Sequence, residues 1–347
     1  GDKFSGSQID LYLHVQDGSA TDLSQARDLV SNQSENVRAD YLRNKSTDEI
    51  YEAYKFGRSE GMGRGPNVFG DGYVLPAADP YQLFAHPDKH LDIPLLIGTN
   101  RDELKLYLYG NPVFVDTYFS IYAVIKDEQI YDATSDYLTR MWKFNGVDRI
   151  ADALYKSNKQ QLTDGKVGQG VWAYRFDWDE HARPMGMALD KLLGAGHGLE
   201  IPFVFGFTSK DEVWSQMYDG SNLKSREALS KVMRSYWAEF AYHGDPNKGQ
   251  SGQQTPWSAW DGETNESLKY LILDSDAGGN VRMSHEIVSL AGMAEDIAVD
   301  KRLENAEKKC AVFAGLVQGN ENFWPTHEYP KQLDGACGKY PLPAKPQ

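Results

Sequence analysis

The sequence predicts a layered α/β fold with a mostly parallel central sheet flanked by helices. Three short apolar runs read as strands, at residues 93–97, 171–178 and 268–273, and helical patterns separate them. The first run ends at Gly98 and passes into an acidic loop, which suits a fold whose chemistry sits at the carboxyl ends of its strands. Three strands are few for a doubly wound sheet in 347 residues, so the sheet is expected to be incomplete within this chain.

The elements follow in order. Ser46-Thr47-Asp48-Glu49 is a capping box, with Ile50, Ala53 and Tyr54 after it at helical spacing. Residues 57–73 are rich in glycine, with Pro66 among them, and read as loop. Residues 93–97 are continuously apolar, the pattern of a strand covered on both faces. Val171 to Trp178 is the second strand. The helix over 225–243 places Leu229, Val232, Met233, Tyr236, Trp237 and Phe240 on one face, and Gly244 and Pro246 end it. Leu268 to Leu273 is the third strand. No internal repeat or low-complexity tract interrupts the pattern.

Composition excludes some partners. The net charge of −14 argues against nucleic acid, which needs a basic surface, and against anionic lipid. No apolar run is long enough for a membrane span. The first residues, Gly1 to Ser5, do not form a signal peptide. Metal-site spacing is absent, and His86 and His90, around Pro87, read as a solvated loop; neither metal nor cofactor is expected. The two cysteines, Cys310 and Cys337, bracket a segment rich in Gly, Asn and Pro. A disulfide there would fit an oxidising compartment, extracellular or periplasmic; two unpaired thiols are the alternative.

Two loops carry the candidate chemistry. Glu103 lies in Pro94-Leu95-Leu96-Ile97-Gly98-Thr99-Asn100-Arg101-Asp102-Glu103. His197 lies in Gly194-Ala195-Gly196-His197-Gly198-Leu199-Glu200, followed by Ile201 to Gly206. An acid followed far downstream by a histidine is two thirds of a triad in the order Ser, acid, His. Taken singly, Glu103 is a solvated carboxylate beside Arg101 and Asp102, and His197 a loop histidine among glycines. Asp102 is the understudy acid. Glu200 reads as a loop anchor rather than a group acting on substrate. Phe203, Phe205, Tyr107 and Tyr109 are pocket candidates, although aromatics beside a buried strand are more often core.

These residues resemble the carboxylesterase type-B family, the cholinesterase-like branch of the α/β-hydrolases. Tyr41-Leu42-Arg43, Asp71-Gly72-Tyr73-Val74-Leu75-Pro76, Pro94 through Glu103, Gly194 through Gly206, and Tyr236 through Ala241 with Gly244-Asp245-Pro246-Asn247 and Trp257 are similar to that family's motifs. They stand in the family's order over about 36–275. The resemblance implies that the chain is the C-terminal portion of a single α/β-hydrolase domain over 1–347, with 300–347 as a tail. It implies Glu103 as triad acid and His197 as general base. Leu104 stands where the family commonly has Gly. The family's serine elbow and Gly-rich oxyanion loop have no counterpart here and would precede this segment.

A literal Gly-x-Ser-x-Gly does occur, as Gly57-Arg58-Ser59-Glu60-Gly61. An elbow needs a buried strand entering and a helix leaving. Here a polar segment enters and Gly61 to Pro66 leaves, so Ser59 is a poor nucleophile candidate; Ser5 and Ser7 lack the flanking glycines. The leading expectation is a carboxylic-ester hydrolase whose His and Glu lie in this chain. Its serine would come from an N-terminal half, on a separate chain or a missing segment, and its substrate would be a small-molecule ester. Alone, the chain is expected to hydrolyse esters negligibly. The alternatives are a non-catalytic binding or adhesion relative of the fold and a self-sufficient hydrolase using Ser59.

Overall fold

A computed structural model describes residues 6–55, 70–119, 121–163, 165, 168–207, 217–248, 254–319 and 326–342. The chain divides into two compact units, Gly1–Asp79 and Pro80–Gln347.

The first unit holds helices α1 (Gly6–Gln16), α2 (Leu23–Ser31), α3 (Glu35–Arg43) and α4 (Thr47–Lys55). A small core of Leu11, Ala20, Ala26 and Val30 joins α1 to α2. The capping box at Ser46 forms in both directions: Ser46 Oγ accepts from the Glu49 N–H, and Glu49 Oε2 accepts from the Ser46 N–H at 2.8 Å. Buried Asp10 is paired with Arg38 Nε at 2.8 Å. Asp71 Oδ1 gathers the N–H groups of Tyr73, Val74 and Leu75, which sets the turn at 71–75.

The second unit runs α5 (Pro80–Phe84), β1 (Leu95–Asn100), α6 (Lys105–Tyr109), β2 (Val115–Tyr118), β3 (Tyr122–Ile125), α7 (Glu128–Lys143), a π turn (Phe144–Asp148), α8 (Arg149–Thr163) and β4 (Val171–Phe176). It continues through α9 (Leu189–Leu192), α10 (Ile201–Phe205), α11 (Leu223–His243), β5 (Tyr270–Leu273), β6 (Arg282–Ser284), α12 (Leu290–Val299) and α13 (Ala306–Gly319). The main sheet has the order β1-β4-β5-β6; β1, β4 and β5 are parallel, and β6 is antiparallel. Helical crossovers join the parallel strands, as parallel pairing requires. β2 and β3 form a separate hairpin.

Side-chain alternation divides the sheet between two cores. Trp172, Phe176, Leu271 and Leu273 face one way, onto Phe203 of α10 and Leu229, Met233 and Tyr236 of α11. Val171, Ala173, Tyr270 and Ile272 face the other, onto Val147 and Ala151. The expected mostly parallel sheet flanked by helices is thus present. A third cluster packs α7, α12, α13 and the tail, including Cys310 and Cys337, which form a disulfide.

The first strand differs from its expectation. It begins at Leu95, not Ile93, and runs through Gly98 to Asn100. Gly98 does not stop it, because Gly98 lies opposite Tyr174, whose ring covers it: a Cβ there would sit 2.2 Å from Tyr174 Cε1. Leu95 to Gly98 are only half-buried, whereas all of β5 is buried. β1 pairs on one side only among the described residues, so one edge lacks the neighbour that would cover it. α11 begins at Leu223, two residues before its predicted start, and closes as predicted on Gly244, whose φ of 67° lets its N–H return to the Phe240 carbonyl at 2.7 Å.

Behind the sheet lies a buried ion pair. Lys143 Nζ, ending α7, meets Asp148 of the π turn at 2.7 and 2.8 Å. Burial pulls the lysine pKa down and pushes the aspartate up, each against its partner's pull. Asp148 also accepts the Val288 N–H at 3.1 Å, tying the π turn to the segment before α12. Lys143→Met should therefore cost about 3–5 kcal/mol by leaving a buried carboxylate unpaired. Lys143→Met with Asp148→Asn, which keeps an acceptor for Val288, should cost less; urea melts of the two variants check this order.

Candidate active site

The carboxyl ends of β1 and β4 launch the two predicted loops from neighbouring strands. The β1 loop turns sharply at once. Glu103, only 4% exposed, folds back so that Oε1 accepts from the Asn100 N–H at 2.7 Å and from Thr99 Oγ1 at 3.0 Å. The other oxygen, Oε2, lies 2.6 Å from His197 Nδ1. Glu103 and His197, 94 residues apart, are thus in direct contact. Since the carboxylate accepts, Nδ1 carries the proton and Nε2 presents its lone pair on the far side of the ring. The His197 side chain is 39% exposed, whereas Glu103 is buried.

The histidine loop is fixed peptide by peptide. Asp102 exchanges two bonds with Ala195: the Asp102 N–H donates to the Ala195 carbonyl, and the Ala195 N–H donates to Asp102 Oδ2, both at 3.0 Å. Asn100 Nδ2 donates to the Gly196 carbonyl at 2.7 Å and to Glu200 Oε2 at 2.5 Å. His181 Nε2 lies 2.6 Å from the Gly194 carbonyl. Gly194 has φ +50°, and a Cβ there would fall 2.4 Å from Asp102 Oδ2, so only glycine fits.

Charge around the site is compensated. Burial pushes the Asp102 carboxyl up, but Arg101 and Lys105 outweigh it and hold it below the ordinary range. Arg101 also reaches Asp179 at 2.5 Å, joining the β1 and β4 loops. With Ala195, Arg101 and Lys105 as partners, Asp102 is committed to loop anchoring and does not reach His197 as an understudy acid. Glu200 has its pKa raised, chiefly by burial; the Asn100 bond opposes this and nearby Glu103 adds to it.

The aromatic candidates separate. Tyr107 lies 5.6 Å from the His197 ring, with its hydroxyl pKa raised by burial and by Glu103. Phe203 is core and Tyr109 packs against the same cluster, while exposed Phe205 stacks on Phe207. Trp142 of α7, edge-on to His197 at 5.3 Å, was not singled out in the sequence. Nor were Thr99, Asn100 and His181. The Asn100 signal was present in Gly-Thr-Asn-Arg-Asp-Glu, where an asparagine closes a buried strand three residues before the acid. Nothing local to Trp142 or His181 ties either to the histidine loop. Ser59 and Ser5 lie outside the described residues, and of Ser7 only its place in α1 is described. His90 bonds the Leu91 carbonyl and Ser157 Oγ. Among the described residues no group of three or more His, Cys, Asp or Glu is arranged to hold a metal ion, and no helix is long and apolar enough to cross a membrane.

Residues 4–287 match the carboxylesterase family profile. The para-nitrobenzyl esterase of Bacillus subtilis (strain 168) is 30% identical over 226 residues, 59% of this chain and 40% of that protein. Acetylcholinesterase 1 of Caenorhabditis elegans is 26% identical over 314 residues, 75% of this chain and 49% of that protein. A solved PNB esterase structure aligns with a TM-score of 0.47 at 21% identity, covering 78% of this chain and 53% of that one. The chain spans less than half the length of these two curated relatives. With the family profile matched along most of its length, the chain belongs to the carboxylesterase family.

Proposed function

We propose that this chain supplies the general base, His197, and the orienting acid, Glu103, of a serine carboxylic-ester hydrolase. The observation that carries the reading is the 2.6 Å contact from buried Glu103 Oε2 to Nδ1 of His197, whose side chain remains 39% exposed. A binding or adhesion relative would have no need of a buried carboxylate spent on one imidazole. The substrate class, a small-molecule carboxylic ester, is carried over from the family and from relatives named as esterases.

The chemistry follows from the tautomer. Nε2 takes the proton of a serine hydroxyl as its oxygen attacks the ester carbonyl carbon. The tetrahedral intermediate collapses, the C–O bond to the alcohol breaks, and Nε2–H returns the proton to the leaving oxygen. Water then attacks the acyl-serine by the same proton path. Glu103 keeps Nδ1 protonated and stabilises the imidazolium in both halves. Tyr107 and Trp142 flank the ring and limit its rotation.

The serine and the oxyanion donors are assigned to the N-terminal half of the same enzyme, on a preceding segment or a second chain. The edge of β1 that is unpaired among the described residues, half-buried and beside the acid loop, supports this. It is where a further strand would extend the sheet next to Glu103. In this reading residues 1–347 are the C-terminal portion of one α/β-hydrolase domain. The Cys310–Cys337 disulfide supports a secreted protein in an oxidising compartment.

A fluorophosphonate serine probe with a chromogenic ester tests the assignment. The isolated chain should neither label nor turn over ester, and the assembled enzyme should label at a serine outside it. Labelling at Ser59 would sink the proposal. In the assembled enzyme, Glu103→Gln should lower kcat by about 10³–10⁴-fold with little change in KM. The Asn100 N–H still requires an acceptor, so the amide –NH₂ is forced onto Nδ1 and the proton moves to Nε2.

Glu200, assigned as a loop anchor, gives a pH signature. Its folded pKa is raised, so the stability it contributes is complete below its unfolded pKa and is lost as pH rises through the folded value. Glu200→Gln keeps an acceptor for Asn100 and removes that loss. Its Tm relative to wild type should rise between pH 4 and 7, and thermal melts across that range check the sign.

A further inference from the structure

His181 is a buried imidazole that the proposed reaction does not use. It is 8% exposed, packs edge-on to Trp178 with ring centroids 5.0 Å apart, and lies in the stretch after β4, well before the histidine loop. Its Nε2 is 2.6 Å from the Gly194 carbonyl. A carbonyl has no proton to give, so Nε2 must carry one, and Nδ1 is left as a buried acceptor with no partner among the described residues. An orphaned ring nitrogen is unfavourable, and a phenyl ring would fill the same space without it. Packing alone therefore does not account for a histidine here; the bond to Gly194 does.

That bond is placed where the loop is most demanding. Gly194 holds a positive φ against Asp102, and its carbonyl is the first of three consecutive peptides fixed ahead of His197. From the acid loop, Asp102 holds the N–H of this first peptide and the carbonyl of the second, and Asn100 holds the carbonyl of the third, whereas His181 holds the first peptide's carbonyl from a different segment. We propose that His181 is a positioning residue for His197: its Nε2–H holds the entrance of the histidine loop, so that the ring of His197 meets Glu103. This rests on the reading of His197 and Glu103 as base and acid. Burial lowers the His181 pKa, against the pull of Gly194 and of Asp179, Asp190 and Asp102, which keeps the ring neutral. Asp179 and Asp102 are neutralised by Arg101, and Asp190 by Arg183.

Two substitutions separate positioning from packing. His181→Phe keeps a ring against Trp178 and donates nothing, whereas His181→Gln loses the ring and keeps an N–H near the position of Nε2. The readout is the downfield proton resonance of His197 Nδ1–H in the isolated chain and its exchange rate with water. H181F should accelerate that exchange at least about tenfold or broaden the resonance away, and H181Q should keep it near wild type. In the assembled hydrolase H181F should lower kcat by about 10–100-fold at unchanged KM, with H181Q restoring it. A packing role gives the reverse order, with Phe tolerated and Gln impaired, and that result overturns the proposal. Wild-type exchange in H181F, or failure of both variants to fold, overturns it too. Should the wild-type chain show no such resonance, the Glu103–His197 contact itself fails and the positioning role falls with it. That outcome is distinct from a wild-type resonance insensitive to His181.

Discussion

Asn100 is the residue on which the site depends, because it satisfies two loops at once. Its backbone N–H holds Glu103 Oε1 while its side-chain amide holds the Gly196 carbonyl and Glu200. Asn100 is 1% exposed, so these bonds form where water cannot compete. As the last residue of β1, it inherits the rigidity of the strand. Strand register is thereby converted into the separation between a carboxylate and an imidazole that the chain order leaves far apart.

The surroundings show what is needed to keep such a contact buried. Asp102 would be a costly charge beside Glu103 were it not paired with Arg101 and Lys105 and given an N–H by Ala195. Gly98 and Gly194 remove side chains where Tyr174 and Asp102 approach. The same economy recurs behind the sheet, where Lys143 and Asp148 close the π turn and Asp148 reaches Val288. In each case a buried charge links two elements distant in the sequence.

Much of this was legible in the residues. β4, β5 and α11 are long or uniformly apolar enough for periodicity to find, and the acid and histidine loops are marked by their glycines and polar residues. The burial of β1 was misread because a continuous apolar run signals cover on both faces, while half-burial here follows from an edge that no local pattern reports. The three-residue β6 is too short for periodicity. The signal for α7 was available: Asp127 caps it by accepting from Gln129 and Ile130, and Ala133, Tyr137 and Met141 follow on one buried face. Trp142 and His181 were out of reach, since each acts on a loop more than ten residues away through a contact that only tertiary structure creates.

The electrostatics of the site favour the direction of proton transfer that the proposed reaction needs. An imidazolium at His197 would face Glu103 directly, with Glu200 close enough that the charge on the histidine pulls its carboxyl pKa down against the burial that raises it. The cations flanking Glu103 in the sequence, Arg101 and Lys105, are engaged by Asp102, and Arg101 by Asp179 as well, so their field at the ring is largely cancelled. Positive charge arising on His197 is therefore met by carboxylates already oriented before any substrate arrives, which is the preorganisation that lowers a barrier. Glu103 cannot swing away as that charge forms, because its second oxygen is held by the backbone of Asn100. A carboxylate bound only to the imidazole could follow the ring as it moved; one tied to the end of a strand instead makes the ring hold still.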